Sequence, residues 1–76
     1  MLGERDLEEL RPRAFAIAYR MLGSVGEAED AVQEALLRLH QAEERGEEIS
    51  SPRSWLATVV TRLSLDELRS ARARRE

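Results

Sequence analysis

Apolar side chains recur every three to four residues along most of the chain, which is the spacing of one face of an α-helix. Three segments carry this pattern, at about residues 6–22, 25–44 and 52–74. No segment alternates apolar and polar residues as a half-buried strand does, and the sequence has no internal repeat. The pattern therefore predicts an all-α fold, a small three-helix bundle with a long third helix.

The first predicted helix is bounded by recognisable helix signals. Pro12 lies inside its apolar pattern, and a proline is expected either to bend the helix or to mark its true start. Gly23 is expected to end the helix. Ser24 is followed three residues later by Glu27, the spacing of a capping box, so the second helix is expected to begin there. The apolar stripe consists of Leu7, Leu10, Ala14, Ile17, Ala18 and Met21, widened by Phe15 and Leu22.

The second predicted helix has an apolar side and an acidic side. Its apolar side, expected to pack against the first helix, consists of Val25, Ala28, Val32, Ala35, Leu36 and Leu39. At 100° per residue the opposite side collects Glu27, Asp30, Gln33, Glu34 and Leu37. This side reads most simply as a solvated face, and Leu37 as an ordinary exposed leucine.

The third predicted helix follows a charged connection at residues 41–51 that contains glycine and serine. The helix is expected to begin with Ser51 as its N-cap and Pro52 at its first helical position. Its buried stripe, Leu56, Val59, Val60 and Leu63, is broken further on by Glu67 and Ser70. The helix is therefore expected to project past the bundle or to lie exposed at its edge.

The outward face of the third helix is rich in arginine and has two interpretations. Its members are Thr58, Arg62, Leu65, Arg69 and Arg72, a ridge that could follow a nucleic-acid backbone or enter a groove. In the other interpretation the arginines are solvated and complement the helix dipole, with Asp66 paired to Arg62 or Arg69.

Charge is divided unevenly between the two parts of the chain. Residues 1–48 contain six arginines and twelve acidic residues, a net charge of -6, whereas residues 49–76 contain six arginines and three acidic residues, a net charge of +3. Such asymmetry indicates two partners, with the basic end the candidate for phosphate. All twelve cations are arginine, whose planar fork suits phosphates and base edges.

Length and composition exclude several classes of protein. Seventy-six residues allow one small domain with a thin core. The chain has no cysteine, so neither disulfides nor thiolate metal sites are available. No apolar run approaches the roughly 20 residues that span a bilayer, and the N-terminus is too charged for a secretory signal. We expect a cytoplasmic protein without membrane contact.

Catalytic chemistry has no support in the sequence. His40 has no partner in local spacing, and neighbours such as Glu29 and Asp30 point about 100° apart on a helix. Neither a glycine-rich phosphate loop nor a nucleophile motif is present. The three aromatic residues are expected to pack rather than to stack on bases. We therefore predict no catalytic residue, no metal and no cofactor.

Two segments together resemble a known family. In chain order these are FAIAYRMLGSVGEAEDAVQEALLRLH, a loop, and then SPRSWLATVVTRLSLDELRSARARRE. Together they resemble region 2 of a bacterial sigma-70-type RNA polymerase sigma factor of the extracytoplasmic-function class. The resemblance covers nearly the whole chain. It rests on Asp30, Gln33 and Glu34 in the polymerase-docking helix and on Trp55, Leu56, Asp66 and Arg69 in the promoter-facing helix.

The resemblance implies two kinds of partner and a set of residues for each. Asp30, Gln33, Glu34 and Leu37 would dock on the clamp helices of the largest subunit of core RNA polymerase. The third helix and the preceding loop would bind the non-template strand of the minus-ten promoter element, the loop accepting a flipped base. An anti-sigma factor is a further implied partner. The implied DNA-binding residues are Ile49, Ser50, Ser51, Arg53, Thr58, Arg62, Arg69 and Arg72.

The sequence also departs from the family. Many members have asparagine at the position of Arg62, so their promoter sequence cannot be transferred. Four glutamates, Glu43, Glu44, Glu47 and Glu48, should repel phosphate unless they point away from the strand. The chain lacks both the additional N-terminal helix of many members and the domain for the minus-thirty-five element, so we expect a domain excised from a longer chain.

Two other binding functions remain for comparison. A helical adaptor that binds only protein would use the arginines as a solubilising surface. A helix-turn-helix reader of duplex DNA is disfavoured, because the connection between the second and third helices is far longer than the usual tight turn.

Overall fold

Three helices make up the described structure. The computed structural model describes the backbone of residues 4–75 and the side chains of residues 6–75. The helices are α1 (Glu4–Leu22), α2 (Val25–Glu44) and α3 (Pro52–Arg75), and every pair of them is in contact. No strand occurs between residues 4 and 75, so the predicted all-α bundle is confirmed. Each predicted helix end lies within two residues of the observed one.

The turn between α1 and α2 is built as the sequence indicates. Gly23 has a φ of 68°, and its N–H donates to the Tyr19 carbonyl at 2.8 Å, which ends α1. Ser24 is extended, and its Oγ accepts a hydrogen bond from the Glu27 N–H at 3.3 Å. The predicted helix stop at Gly23 and the N-cap at Ser24 are thus confirmed.

Substitution of Gly23 by alanine is expected to destabilise the domain by about 1 kcal/mol, because residues with a Cβ are disfavoured at positive φ. No atom lies within 4 Å of the added Cβ, so the effect isolates backbone strain. Gly26, inside α2 with equally open surroundings, supplies the control. Its replacement by alanine should stabilise the domain by a few tenths of a kcal/mol. Urea unfolding of both variants checks the two opposite signs.

The core is small because half of it is alanine. The apolar stripes meet as predicted, and the buried cluster is joined by half-buried residues that include Phe15, Ile17 and Leu63. Alanine side chains let helices approach closely but bury little area per residue. Ala42 in α2 is buried as well, one turn beyond the predicted stripe. The clustered buried residues are Ala14, Ala18, Ala28, Val32, Ala35, Leu39, Leu56 and Val60.

Two sequence-based predictions about the first two helices are wrong in part. Val25 was expected in the core but is 54% exposed, because it begins α2 a full turn before Ala28, the first residue of this helix to be buried. Pro12 does not mark the start of α1, since the helix begins at Glu4 and continues through it. Pro12 lies on the exposed surface, where water can satisfy the carbonyl group that loses its hydrogen bond.

Nearly half of α3, at its C-terminal end, extends beyond the core. Ser64 is the last buried residue of the helix, and its Oγ donates to the Val60 carbonyl at 2.8 Å. From residue 65 to 75, about 16 Å of helix, no described side chain is buried. The predicted exposed continuation of α3 is confirmed, and we call residues 65–75 the α3 tail. None of the described helices is long and apolar enough to span a membrane.

Candidate nucleic-acid and protein interfaces

A surface pocket of about 420 Å³ lies where the α2–α3 loop meets the start of α3. The loop contributes residues 48–51, and α3 contributes side chains three or four positions apart, which share one helix face. We call this cavity the loop pocket. It brings together five of the eight predicted DNA-binding residues, namely Ile49, Ser50, Ser51, Thr58 and Arg62.

The loop pocket has an apolar floor and a polar rim. Ile49, Trp55 and Val59 are half-buried and pack against the bundle core, so they form the floor. The rim is exposed and contains hydroxyl, carboxylate and guanidinium groups. A flat apolar surface next to several hydrogen-bonding groups can hold an aromatic ring and read its edge. The rim residues are Glu48, Ser50, Ser51, Ser54, Thr58 and Arg62.

Local hydrogen bonds fix the two ends of the α2–α3 loop. Gly46, with a φ of 81°, donates its N–H to the Glu43 carbonyl, and the Glu47 N–H donates to the Ala42 carbonyl at 3.1 Å. These bonds turn the chain at the end of α2. At the other end, Ser51 Oγ accepts from the Ser54 N–H at 3.2 Å, which confirms the predicted N-cap of α3. The polar rim is therefore formed partly by the capping residues themselves.

The four loop glutamates differ in their surroundings. Glu47 accepts two hydrogen bonds from the Arg45 guanidinium, at 2.6 and 3.0 Å. Glu44 lies 3.6 Å from the His40 ring, and Glu43 is half-buried with an interaction of its own. Only Glu48, among these four, lines the loop pocket. One of the four carboxylates thus lies beside the predicted DNA-binding residues of the loop.

Three predicted DNA-binding arginines lie outside the loop pocket. Arg53 borders a depression that faces α1, beside Arg13 and Leu56. Arg69 and Arg72 lie on the α3 tail. The residues predicted to bind DNA therefore occupy three separate places.

The outward direction of the α3 arginines agrees with the predicted ridge. Arg62, Arg69 and Arg72 are all exposed, and within residues 6–75 none of them forms an ion pair. The alternative pairing of Asp66 with Arg62 or Arg69 is wrong for the same part of the chain, where Asp66 has no ion-pair partner. An exposed ion pair of this kind contributes little to the free energy of folding, so its absence costs the domain little stability.

Sequence reasoning missed four residues of the loop pocket: Glu48, Ser54, Trp55 and Val59. Ser54 could have been found, because it lies one helical turn from both Ser51 and Thr58. Trp55 and Val59 were assigned to packing alone, whereas they contact the core and also border the cavity. Of the other aromatic residues, Tyr19 packs only partly, since it stacks on Phe15 at 5.8 Å and remains 46% exposed.

The acidic side of α2 is exposed along its length. We call Asp30, Gln33, Glu34 and Leu37 the docking face, and all four point to solvent as predicted. Leu37 is 50% exposed, and the Glu34 carboxylate accepts a hydrogen bond from Arg38 at 3.0 Å. An apolar side chain thus lies among carboxylates on an otherwise open surface.

Each flank of the docking face borders another helix. Gln33 lines a groove of about 360 Å³ between α1 and α2, whose wall includes Phe15. Asp30 lies beside a depression shared with Leu63 and Glu67 of α3. No residue of the docking face lines the loop pocket, so two distinct surfaces are available at the same time.

Comparison with known proteins identifies a matching family and several relatives. A family model described as sigma-70 region 2 matches residues 7–74. The chain is 51% identical over 71 residues to the ECF RNA polymerase sigma factor SigJ of Mycobacterium tuberculosis, covering 93% of this chain and 22% of that protein. It is 47% identical over 58 residues to the ECF RNA polymerase sigma factor SigL of the same species, covering 75% of this chain and 33% of that protein.

A third relative from that species, the probable ECF RNA polymerase sigma factor SigI, is 48% identical over 66 residues, 84% of this chain and 22% of its own length. The chain thus spans between a fifth and a third of these relatives. No solved structure matches it. Because the family match extends over almost the whole bundle, the chain belongs to the sigma-70 region 2 family, in the group of extracytoplasmic-function RNA polymerase sigma factors.

Proposed function

We propose that this domain acts in transcription initiation by joining core RNA polymerase to the minus-ten promoter element. The docking face of α2 binds the polymerase, and the loop pocket with α3 binds the non-template DNA strand. The single observation that carries this proposal is the separation of an acidic face with an exposed leucine from a pocket lined by hydroxyls and Arg62. The family match and the names of the relatives support a role in transcription initiation.

The docking face has the composition of a small protein-binding surface. Leu37 supplies an apolar anchor at the C-terminal end of this face, and burying its exposed half on binding contributes about 1 kcal/mol. The surrounding Asp30 and Glu34 carboxylates select a partner that carries basic groups at matching positions. The clamp helices of the polymerase's largest subunit are the partner that we propose.

The loop pocket is proposed to hold one base flipped out of the opening duplex. Extruding a base costs a few kcal/mol, which stacking and hydrogen bonds in the pocket can offset. Trp55 is the only aromatic residue among those that line the pocket, and most of its surface is already buried against the bundle. With so little stacking surface, the domain depends on the polymerase to open the duplex.

On the α3 tail, Arg69 and Arg72 are proposed to contact the strand's phosphates. Replacing both by alanine is expected to reduce the salt dependence of strand binding. The negative slope of log K against log salt should become shallower by about 1.4. The reason is that each lost phosphate contact on a single strand removes about 0.7 from that slope. Fluorescence anisotropy across a salt series measures it.

The matched control for this double variant removes two arginines of α1, Arg11 and Arg20, which are also exposed. This control lowers the net charge equally but should leave the slope nearly unchanged. Equal slopes for the two double variants would show that the arginines act only through overall charge. Circular dichroism of each sample reports any loss of helix at the α3 tail.

Selection from a pool of random single strands tests the proposed function as a whole. We expect strands selected on the domain bound to core polymerase to share a short motif and to bind more tightly than the unselected pool. Their affinity should fall steeply with salt. A helical adaptor that binds only protein would enrich no motif, and that outcome would overturn the assignment to promoter DNA.

A further inference from the structure

Two arginines from different helices lie together where α1 packs against α3. Arg13 of α1 and Arg53 of α3 line the same small depression, and both side chains are exposed. We call this place the α1–α3 junction. No carboxylate is among the residues that line it. The other lining residues are apolar, namely Leu10, Ala14, Ile17, Leu56 and Ala57.

Neither arginine of the junction has an anionic partner in the described structure. Within residues 6–75, Arg13 and Arg53 form no ion pair and no side-chain hydrogen bond. Two like charges held beside one depression repel each other, and an anion placed between them lowers that energy. The junction is thus suited to a ligand that carries negative charge. Three other arginines are each paired with a glutamate, namely Arg38, Arg45 and Arg74.

The chemistry of the junction favours a phosphate group as that ligand. A guanidinium group presents its N–H donors in a planar fork that matches two phosphate oxygens. The apolar floor can support the aliphatic stems of the arginines while their charged ends remain in water. Arg53 is also the second residue of α3, where the positive end of the helix dipole lies. A phosphate at the junction would therefore receive hydrogen bonds from two helices.

We infer that Arg13 and Arg53 form a phosphate-binding site that holds one backbone phosphate of the bound DNA strand. This inference rests on the proposed function and extends the DNA-binding surface to α1. Arg53 lies in sequence between Ser51 and Ser54 of the loop-pocket rim, but it lines the junction instead. A strand that leaves the loop pocket across the start of α3 brings its backbone to the junction.

Arg13 is the new member of this surface, and α1 supplies a close comparison for it. Arg11 lies two residues earlier and is also exposed, but it lines the groove between α1 and α2. At 100° per residue, the two side chains leave the helix about 160° apart. Loss of Arg13 should therefore weaken strand binding, whereas loss of Arg11 should leave it nearly unchanged.

Strands with single neutral linkages test the inference. Each strand carries the selected motif, and a methylphosphonate replaces one phosphate at a time, which removes one negative charge at a known position. For the wild-type domain bound to core polymerase, we expect several linkages at which this change weakens binding by about threefold, the scale of an exposed ion pair. The Arg13→Ala/Arg53→Ala variant should bind the unmodified strand more weakly and lose its sensitivity at one of these linkages only.

The Arg11→Ala/Arg20→Ala variant is the matched control, because it removes the same charge from exposed positions outside the junction. It should keep every sensitive linkage of the wild type. Circular dichroism of both double variants checks that the helices persist. If the junction variant keeps all the sensitive linkages, or if the control loses the same one, the phosphate site is wrong while strand binding stands.

A site for a free anion is another outcome that would overturn the inference. Inorganic phosphate would then raise the melting temperature of the wild type more than chloride at equal ionic strength does. The junction variant would not respond, and no linkage would distinguish the two proteins. Absence of any selected motif would overturn the proposed function and this inference together.

Discussion

Replacing Leu39 with alanine is expected to lower the free energy of unfolding by about 3 kcal/mol. Leu39 is 0% exposed and is among the largest side chains that are fully buried in the described bundle. Leucine-to-alanine changes at such sites cost about 2–5 kcal/mol, because a cavity remains. A domain of this length is stable by only about 4–11 kcal/mol at the usual 0.05–0.15 kcal/mol per residue, so the loss is a large fraction.

Urea unfolding followed by circular dichroism measures this change, and Leu37→Ala is its control. Leu37 lies two residues away on the same helix, is 50% exposed and should change stability by less than about 0.5 kcal/mol. The two variants remove the same atoms from opposite sides of α2. Similar losses for both would contradict the placement of the core between the three helices.

Reversing the charge of Glu34 to arginine is expected to weaken association with core polymerase by tenfold or more. The change places a cation where the docking face offers a carboxylate, and like charges brought together at an interface cost several kcal/mol. It also removes the hydrogen bond to Arg38. Exposed helix pairs of this kind contribute only about 0.3–0.5 kcal/mol, so the fold should persist.

Titration of labelled domain with core polymerase measures the affinity, and Glu8→Arg controls for net charge. Glu8 is an exposed acid of α1 outside the docking face, and its reversal changes the charge of the domain by the same amount. Unchanged affinity for Glu34→Arg, or an equal loss for both variants, would contradict the docking assignment. Leu37→Ala should weaken association in the same direction, because it removes the apolar anchor without altering charge.

Together these variants separate stability from binding. Leu39→Ala changes the core and leaves the docking face intact, whereas Leu37→Ala and Glu34→Arg change that face and leave the core intact.

Most of the local structure could be predicted from the sequence, because it depends on neighbours within a few residues. Gly23, Ser24 and Ser51 set helix ends through their own backbone preferences and hydrogen bonds. The outward direction of Glu34 and Arg62 follows from helical periodicity alone. The placement of Val25 in the core was wrong, and Pro12 does not start the helix, because periodicity does not say where along a helix packing begins or whether a proline faces water.

The candidate site could be predicted only in part. Ile49 was assigned to DNA from the family resemblance, and Thr58 and Arg62 from the outward face of the third helix. Their assembly in one cavity depends on how the loop returns to α3. Arg53, assigned together with Ile49, lies toward α1 instead. Which of two adjacent glutamates is free also depends on the loop, since Glu47 is held by Arg45 while Glu48 reaches the cavity.

The sequence by itself determined three helices, their caps and the division between an acidic and an arginine-rich surface. These features follow from local backbone preferences and from the helical period of 3.6 residues, and neither depends on residues that are distant in sequence. Only the tertiary structure decided that the loop closes a pocket over Trp55 and leaves the Glu48 carboxylate free there. That outcome depends on packing between elements remote in sequence, which no local pattern encodes.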